Sequence, residues 1–390
     1  MSLRRLQFWL LVAFLAPFVA LSLVFAHHAR TASAAMTSAL NADPPKVQIA
    51  DASSVNPEVA TFLKRAESAH TTWTGPTSSP KIMKKVTVGV VPCSMSLEGC
   101  ARQAQGISEA AKLIGWKTIV IDGQLNTNTQ QNAMESLINQ HVNAIAIASI
   151  PASTLCQQIK AAHDAGIAVI SGYASDPRSC GGLGVVIVPQ EDVGAYCAAY
   201  TIANGGGNVA QVGSNGNPQI LARSRGFVAY LTKYSGGNSK MVETQYIPFS
   251  EVGPPEQAIM NAILARHPQG QLNWIFAGFD AMIRPLIAAA DSQGRTELKG
   301  CSSDGDLATL DDIRNGHIQA ATVGFPLVWT GWGEVDQINR YLNHVPLFPL
   351  AKIEGTSARL LTKDNLPPAG QSYDADLDYR AHYRQIWGVK

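Results

Sequence analysis

From Lys85 onward, short apolar runs alternate with segments whose apolar positions recur at helical spacing. Residues 86–91 read as a strand, and Ala104, Ile107, Ala111 and Ile114 mark one face of the helix that follows. Strands are expected next at 118–121, 144–150 and 168–171, with helices after Asn126 and over 153–165. Gly115 and Gly166 fall at helix ends, where a left-handed cap suits glycine. After Gly182 the rhythm restarts, with strands at 185–188, 209–212, 241–247, 274–277, 297–301 and 320–325 and helices between them. Nearly continuous apolar strands separated by helices predict parallel sheets covered on both faces. Two successive series predict an α/β fold of two doubly wound parallel-sheet lobes.

Composition narrows the function. The chain has 390 residues, enough for two domains and terminal extras. Its hydrophobic fraction of 46% and charged fraction of 15% are those of a globular protein. A net charge of +1 and the lack of a basic stripe argue against nucleic acid as a partner.

At the N-terminus, Arg4 and Arg5 precede an apolar run over 8–26, and Ala32-Ser33-Ala34 follows as a small-residue cleavage pattern. Residues 1–34 read as a secretory signal peptide. The run is also long enough to stay as a membrane anchor. A periplasmic or secreted location is expected in either case. Residues 35–82 read as an extension with one helical piece near 57–69.

Six cysteines in an exported chain allow disulfides. Cys93 and Cys100 flank a short loop, and Cys156 and Cys180 can meet across a helix-to-strand unit. Cys197 and Cys301 are expected as small buried residues. The chain lacks a CxxC pair, and its cysteines are not grouped with histidines, so neither a zinc site nor another cofactor is expected. G-x-S-x-G, GxxxxGK[ST], helix-opening GxGxxG and HExxH are likewise absent, and Asp311 and Asp312 diverge on one helix. The chain reads as non-enzymatic.

Several segments resemble the type I periplasmic binding proteins of the ribose-binding cluster. They are VTVGVVPCSMSLEGCARQAQGISEAAKLIGW, IDGQLNTNTQQNAMESLINQHVNAIAIASI, AAHDAGIAVISGY, ARSRGFVAYL, WIFAGFDAMIRPLIAA and LKGCSSDGDLATLDDIRNGHIQAATVGF, in that order over 83–361. The resemblance implies a substrate-binding protein of an ABC-type importer. Such a protein is monomeric, closes on a small-molecule ligand at a hinge and presents it to a membrane permease. A ligand sensor feeding a chemoreceptor or histidine kinase is the second reading, and a secreted enzyme a distant third.

The resemblance also implies discontinuous lobes joined by a three-strand hinge, with crossings near Pro189, Phe325 and Pro346. Lobe 1 is expected over 83–188 and 326–346, lobe 2 over 189–325 and 347–365, and a C-terminal tail over 366–390. Tyr379, Tyr383 and Trp387 of the tail are expected to pack on a lobe.

In open α/β sheets, ligands bind outside the carboxyl ends of the strands. That rule nominates Ser94, Met95, Ser96, Gln124, Ser149, Tyr173, Asn215, Phe279, Asp280, Asp304 and Phe325. Trp329 lies close to Phe325, and the resemblance adds Arg225. Where sugar-binding relatives carry an Asp-Arg pair, an asparagine and a glutamine, this chain has Tyr173-Ala174, Phe279 and Phe325. Aromatic surface in place of polar anchors predicts a ligand less hydroxylated than a common sugar, since each unpaired buried hydroxyl costs about 1–3 kcal/mol.

Overall fold

The computed structural model describes residues 56–390, residue 174 excepted. The signal-peptide and anchor readings lie outside the described residues. The first sheet contains β1 (Thr87–Pro92), β2 (Lys117–Val120), β3 (Ala144–Ala148), β4 (Ala168–Gly172) and β5 (Gly184–Val186). All are parallel, in the order β2-β1-β3-β4-β5. The second contains β6 (Gly207–Ser214), β7 (Ser239–Ile247), β8 (Trp274–Ala277), β9 (Lys299–Asp304), β10 (Gln319–Gly324) and β11 (Arg359–Thr362). Its order is β11-β10-β9-β8-β6-β7, and only β11 runs antiparallel to its neighbour. Without β11, the second sheet repeats the order of the first.

The sheets are flanked by α1 (Pro57–Glu67), α2 (Glu98–Leu113), α3 (Thr127–Asn139), α4 (Cys156–Asp164), α5 (Gln190–Ala203) and α6 (Pro218–Tyr234). Further along come α7 (Pro254–Arg266), α8 (Asp280–Ser292), α9 (Leu307–Asn315), α10 (Leu327–Leu342) and α11 (Tyr379–Trp387). Strand β3 shows why the strands read as unbroken apolar runs. Ala144 and Ala146 face the core that holds Trp329 and Trp332, whereas Ile145 and Ile147 face the core that holds Leu137 and Ile159. The two-residue period persists, but both faces are covered, so polarity does not reveal it.

The chain leaves the first sheet after β5 and enters α5, which packs under β9 and β10. It returns after β10 into α10, which packs on α2, and residues 343–358 lead back to β11. The tail aromatics Tyr379, Tyr383 and Trp387 are buried in the first lobe's core beside Trp332. Trp329 belongs to the same core, stacked on Trp73 at 5.5 Å and on Tyr379 at 5.2 Å.

Cys93–Cys100 and Cys156–Cys180 form the expected disulfides. Cys197 and Cys301 are also joined, across a separation of 104 residues, tying α5 to β9. The expectation of two unpaired buried cysteines fails because so long a separation carries no local signal. Only the topology lays α5 against β9.

Candidate functional site

The carboxyl ends of strands from both sheets converge on one pocket between the lobes. The first lobe contributes Leu97, Gly99 and Cys100 after β1, Ser149 after β3 and Tyr173 after β4. The second contributes Asn217, Gln219, Ile220 and Arg223 from α6, Phe249 after β7, Phe279 and Ala281 after β8, and Asp304 and Asp306 at the end of β9. Leu327 enters at the start of α10.

Backbone conformation marks the same place. Ser149, Tyr173 and Asp304 have φ of +59°, +47° and +133°, values that side-chain-bearing residues seldom adopt. Each ends a strand and lines the pocket. Such strain persists where the surrounding structure enforces it, and it clusters at ligand sites.

Helix α6 is placed by its own sequence. Asn217 caps it by accepting from the Gln219 and Ile220 amides, and Pro218 takes the first turn, where its missing N–H costs nothing. Gly226 lies against the Glu191 backbone and Gly194 against that of Arg223, so α5 and α6 cross with no room for a side chain at either point. The crossing fixes the rotation of α6 and turns Arg223 toward the cleft.

Arg223 is buried and donates through Nε to Gln190 Oε1 (2.7 Å). Through Nη1 it donates to Gly278 O (2.8 Å), Ser303 Oγ (2.7 Å) and Asp304 Oδ1 (3.4 Å). Its guanidinium also lies 4.7 Å from the Phe325 ring centroid. Burial pushes the Asp304 carboxyl up to about 7; Asp280 adds to the rise, while Arg223 and Arg102 oppose it. Nearby, Gln219 Oε1 is buried with no hydrogen-bond partner among the described residues. The Tyr173 hydroxyl lies beside Thr330 without a hydrogen bond of ordinary geometry.

Behind the first-lobe wall runs a buried polar relay. Ser149 Oγ donates to Gln103 Oε1 (3.2 Å), and Gln103 Nε2 donates to Glu334 Oε2 (3.0 Å). Burial pushes the Glu334 carboxyl up to about 8, against the hydrogen bond from Gln103.

Of the residues nominated from sequence, Tyr173, Phe279, Asp304 and Ser149 line the pocket. The others stand elsewhere. Ser94 and Ser96 bond each other through their hydroxyls (2.8 Å) in the loop closed by Cys93–Cys100, and Met95 is 44% exposed. Gln124 and Asn215 are exposed. Asp280 is buried beneath the pocket, accepting from Ser302 Oγ, Thr322 Oγ1 and the Asp306 amide. Phe325 is buried behind Tyr173, 4.9 Å between ring centroids, and Trp329 belongs to the first-lobe core.

Arg225 points away from the cleft, its side chain 63% exposed and paired with Glu191 at 3.0 Å. Two helical positions turn a side chain through about 200°, which separates it from Arg223. The missed signal was in the sequence: Ile220, Arg223 and Phe227 share the helical spacing of the buried face. Asn217, Gln219, Phe249, Asp306 and Leu327 had no comparable signal.

The profile of the periplasmic binding protein domain family matches residues 88–344. The chain belongs to this family. The ribose import binding protein of Bacillus subtilis (strain 168) is 25% identical over 256 residues, 65% of this chain and 81% of that protein. The D-apiose import binding protein of Paraburkholderia graminis is 26% identical over 247 residues, 62% of this chain and 76% of that protein. A solute-binding protein of an ABC transporter from Burkholderia graminis, solved with D-arabinose, superposes with a TM-score of 0.63 at 23% identity. That match covers 75% of this chain and all (100%) of that one. A galactofuranose-binding protein gives 0.62 at 19% identity, over 78% and 99% of the two chains. At such identities the solved structures show a shared fold. In this periplasmic binding protein, α1, β11 and α11 all lie outside the matched span.

Proposed function

We propose that the chain is the exported substrate-binding protein of an ABC-type importer. It captures a small neutral solute in the cleft by hinge closure and delivers it to a membrane permease. The observation that carries this reading is the convergence of both sheets' carboxyl ends on one pocket, in a family of binding proteins rather than enzymes. The curated relatives are import binding proteins, which favours delivery to a permease over the sensor reading. The N-terminal pattern and three disulfides fit export to an oxidising compartment. The lobe boundaries expected from the sequence serve as the working division, with passages near residues 189, 325 and 346 acting as the hinge.

The pocket supports a ligand with both hydroxyl groups and an apolar face. Arg223 and Asp304 already pair with each other, which leaves little net charge for an ionic ligand. Gln219 Oε1 and the strained Tyr173 and Asp304 supply directional contacts. Phe325 and Trp329 drop out of the aromatic case, and Phe249, Leu97, Ile220 and Leu327 take their place beside Phe279. Burying such surface stabilises a complex by about 25 cal/mol per Å².

A thermal-shift screen of sugars, deoxy-sugars, polyols, aromatic acids and short alcohols tests the proposal. Deoxygenated sugars or small polyols are expected to raise the Tm, because a ligand at 100 times its Kd adds about 2.7 kcal/mol. A response only to fully hydroxylated aldoses, or only to anions, would reject this ligand class.

A further inference from the structure

Two charged residues one turn apart on α2, Glu98 and Arg102, reach out of the first lobe into the second. Arg102 is 7% exposed. Its Nη1 lies 3.3 Å from Asp304 O, 3.3 Å from Gly305 O and 3.4 Å from Asp306 Oδ1. Its Nη2 donates to Phe325 O at 3.4 Å and also to Tyr373 O. Nη1 has two hydrogens for three acceptors, so those bonds are shared and individually long. Together they gather backbone from the end of β9, the residue after β10 and the C-terminal tail around one guanidinium.

Glu98 does the reverse. Its Oε1 accepts from the Leu307 amide at 3.1 Å and from Ser372 Oγ. Leu307 opens α9, whose N-cap residue Asp306 makes no side-chain capping bond of its own. The first lobe thus caps a second-lobe helix with a carboxylate, at the helix end that favours negative charge. The tail is fitted closely behind this contact. Tyr373 N donates to Gly305 O at 2.9 Å, and a Cβ on Gly324 would come within 2.5 Å of the Tyr373 ring. Ser372 and Tyr373 lie beyond the matched span of 88–344.

We propose that Glu98 and Arg102 form a cross-lobe clasp, completed by Ser372 and Tyr373, which holds the cleft shut and fixes Asp304 and Asp306 against the pocket. Both are positioning residues, since neither lines the pocket. The clasp rests on the reading of the cleft as the ligand site, but its test needs no ligand, so the two stand or fall separately.

The test uses the dialysed full chain without added solute. Small-angle scattering reads the opening of the lobes, and hydrogen exchange reads residues 304–307 and 370–376. Arg102→Ala is expected to enlarge the radius of gyration. It should also speed exchange in those two segments by about tenfold or more, as expected for lost hydrogen bonds to a charged group, with α4 and β7 unchanged. Arg102→Lys should fall between, because a point charge with three donors does not span the fork's acceptors. A folded Arg102→Ala protein with wild-type radius and exchange overturns the clasp, even if its Tm is lower. If Arg102→Ala does not fold, Arg102→Lys decides: wild-type radius and exchange overturn the proposal, and a shift in both supports it.

Discussion

On the second-lobe wall of the cleft, Arg223, Asp304, Asp306, Asn217 and Gln219 present charges and amides among the apolar Ile220, Phe249, Phe279 and Ala281. On the first-lobe wall, Leu97, Gly99 and Cys100 present hydrocarbon and a disulfide, with Ser149 and Tyr173 as the polar exceptions. Arg223 on the second-lobe wall is fixed by bonds within its own lobe, to Gln190, Ser303 and Asp304. The first-lobe wall is fixed by a cross-link and by left-handed backbone at Ser149 and Tyr173. From this difference we propose a division of labour: the second lobe, which holds all the charged lining groups, orients a ligand, while apolar groups of both walls cover it from water.

The disulfides sharpen the contrast most. Cys197–Cys301 closes 104 residues behind the polar wall, whereas Cys156–Cys180 closes 24 in the first lobe. Loop-closure entropy predicts losses of about 4.7 and about 3.4 kcal/mol when each pair is replaced by alanine. Denaturant unfolding of the two variants in parallel should rank them in that order. An equal or reversed ranking would break the picture of a second lobe held by its long cross-link.

Next comes Arg223→Ala, which leaves the Asp304 carboxyl buried without its main partner. Removing one member of a buried pair costs about 3–5 kcal/mol. Adding Asp304→Asn should restore part of that stability while leaving the thermal response to any screening hit abolished. Retained ligand response in Arg223→Ala would move the orienting role to the other wall.

The buried carboxyls predict a pH dependence. Asp304 is raised from 3.8 to about 7, and Glu334, behind the first-lobe wall, from 4.5 to about 8. A carboxyl raised on folding binds its proton more tightly in the folded state. Its contribution is full below the unfolded value and is lost as pH rises through the folded value. Thermal stability should therefore fall between pH 5 and about 8. Asp304→Asn should remove the part of the slope below about pH 7, and Glu334→Gln the part that extends to about 8. A melting temperature that climbs over this range in the wild type would contradict both shifts.

The smallest effects are expected from Tyr173→Phe and Arg225→Ala. The Tyr173 hydroxyl lacks a well-formed bond, so its loss should change stability by less than about 1 kcal/mol. Arg225 forms an exposed pair worth about 0–1 kcal/mol, and its removal should leave ligand response untouched. A lost response in Arg225→Ala, with Arg223 intact, would reverse the assignment of the two arginines.

Much of this was legible in the chain. The alternation of apolar runs and helical spacing located the strands, and the carboxyl-end rule placed Tyr173, Phe279 and Asp304 at the cleft. Cys93–Cys100 and Cys156–Cys180 were readable because each pair is close in sequence, the first across a strand-to-helix loop and the second across a helix-to-strand unit. Arg223 was readable too, from its spacing with Ile220 and Phe227, but the motif drew attention to Arg225.

Other features were set by the tertiary structure alone. Trp329 sits beside Phe325 in sequence, yet it is carried into the first-lobe core, because α10 crosses back to stack it between Trp73 and Tyr379. Cys197 and Cys301 meet only because α5 lies against β9. The contacts of Glu98 and Arg102 join α2 to segments 202 and 274 residues further along the chain. Periodicity and caps report on neighbours along the chain, through the geometry of one helix or strand. Which elements then lie side by side is decided by how their apolar faces are buried together, and that is where this protein's long cross-link and its tail contacts arise.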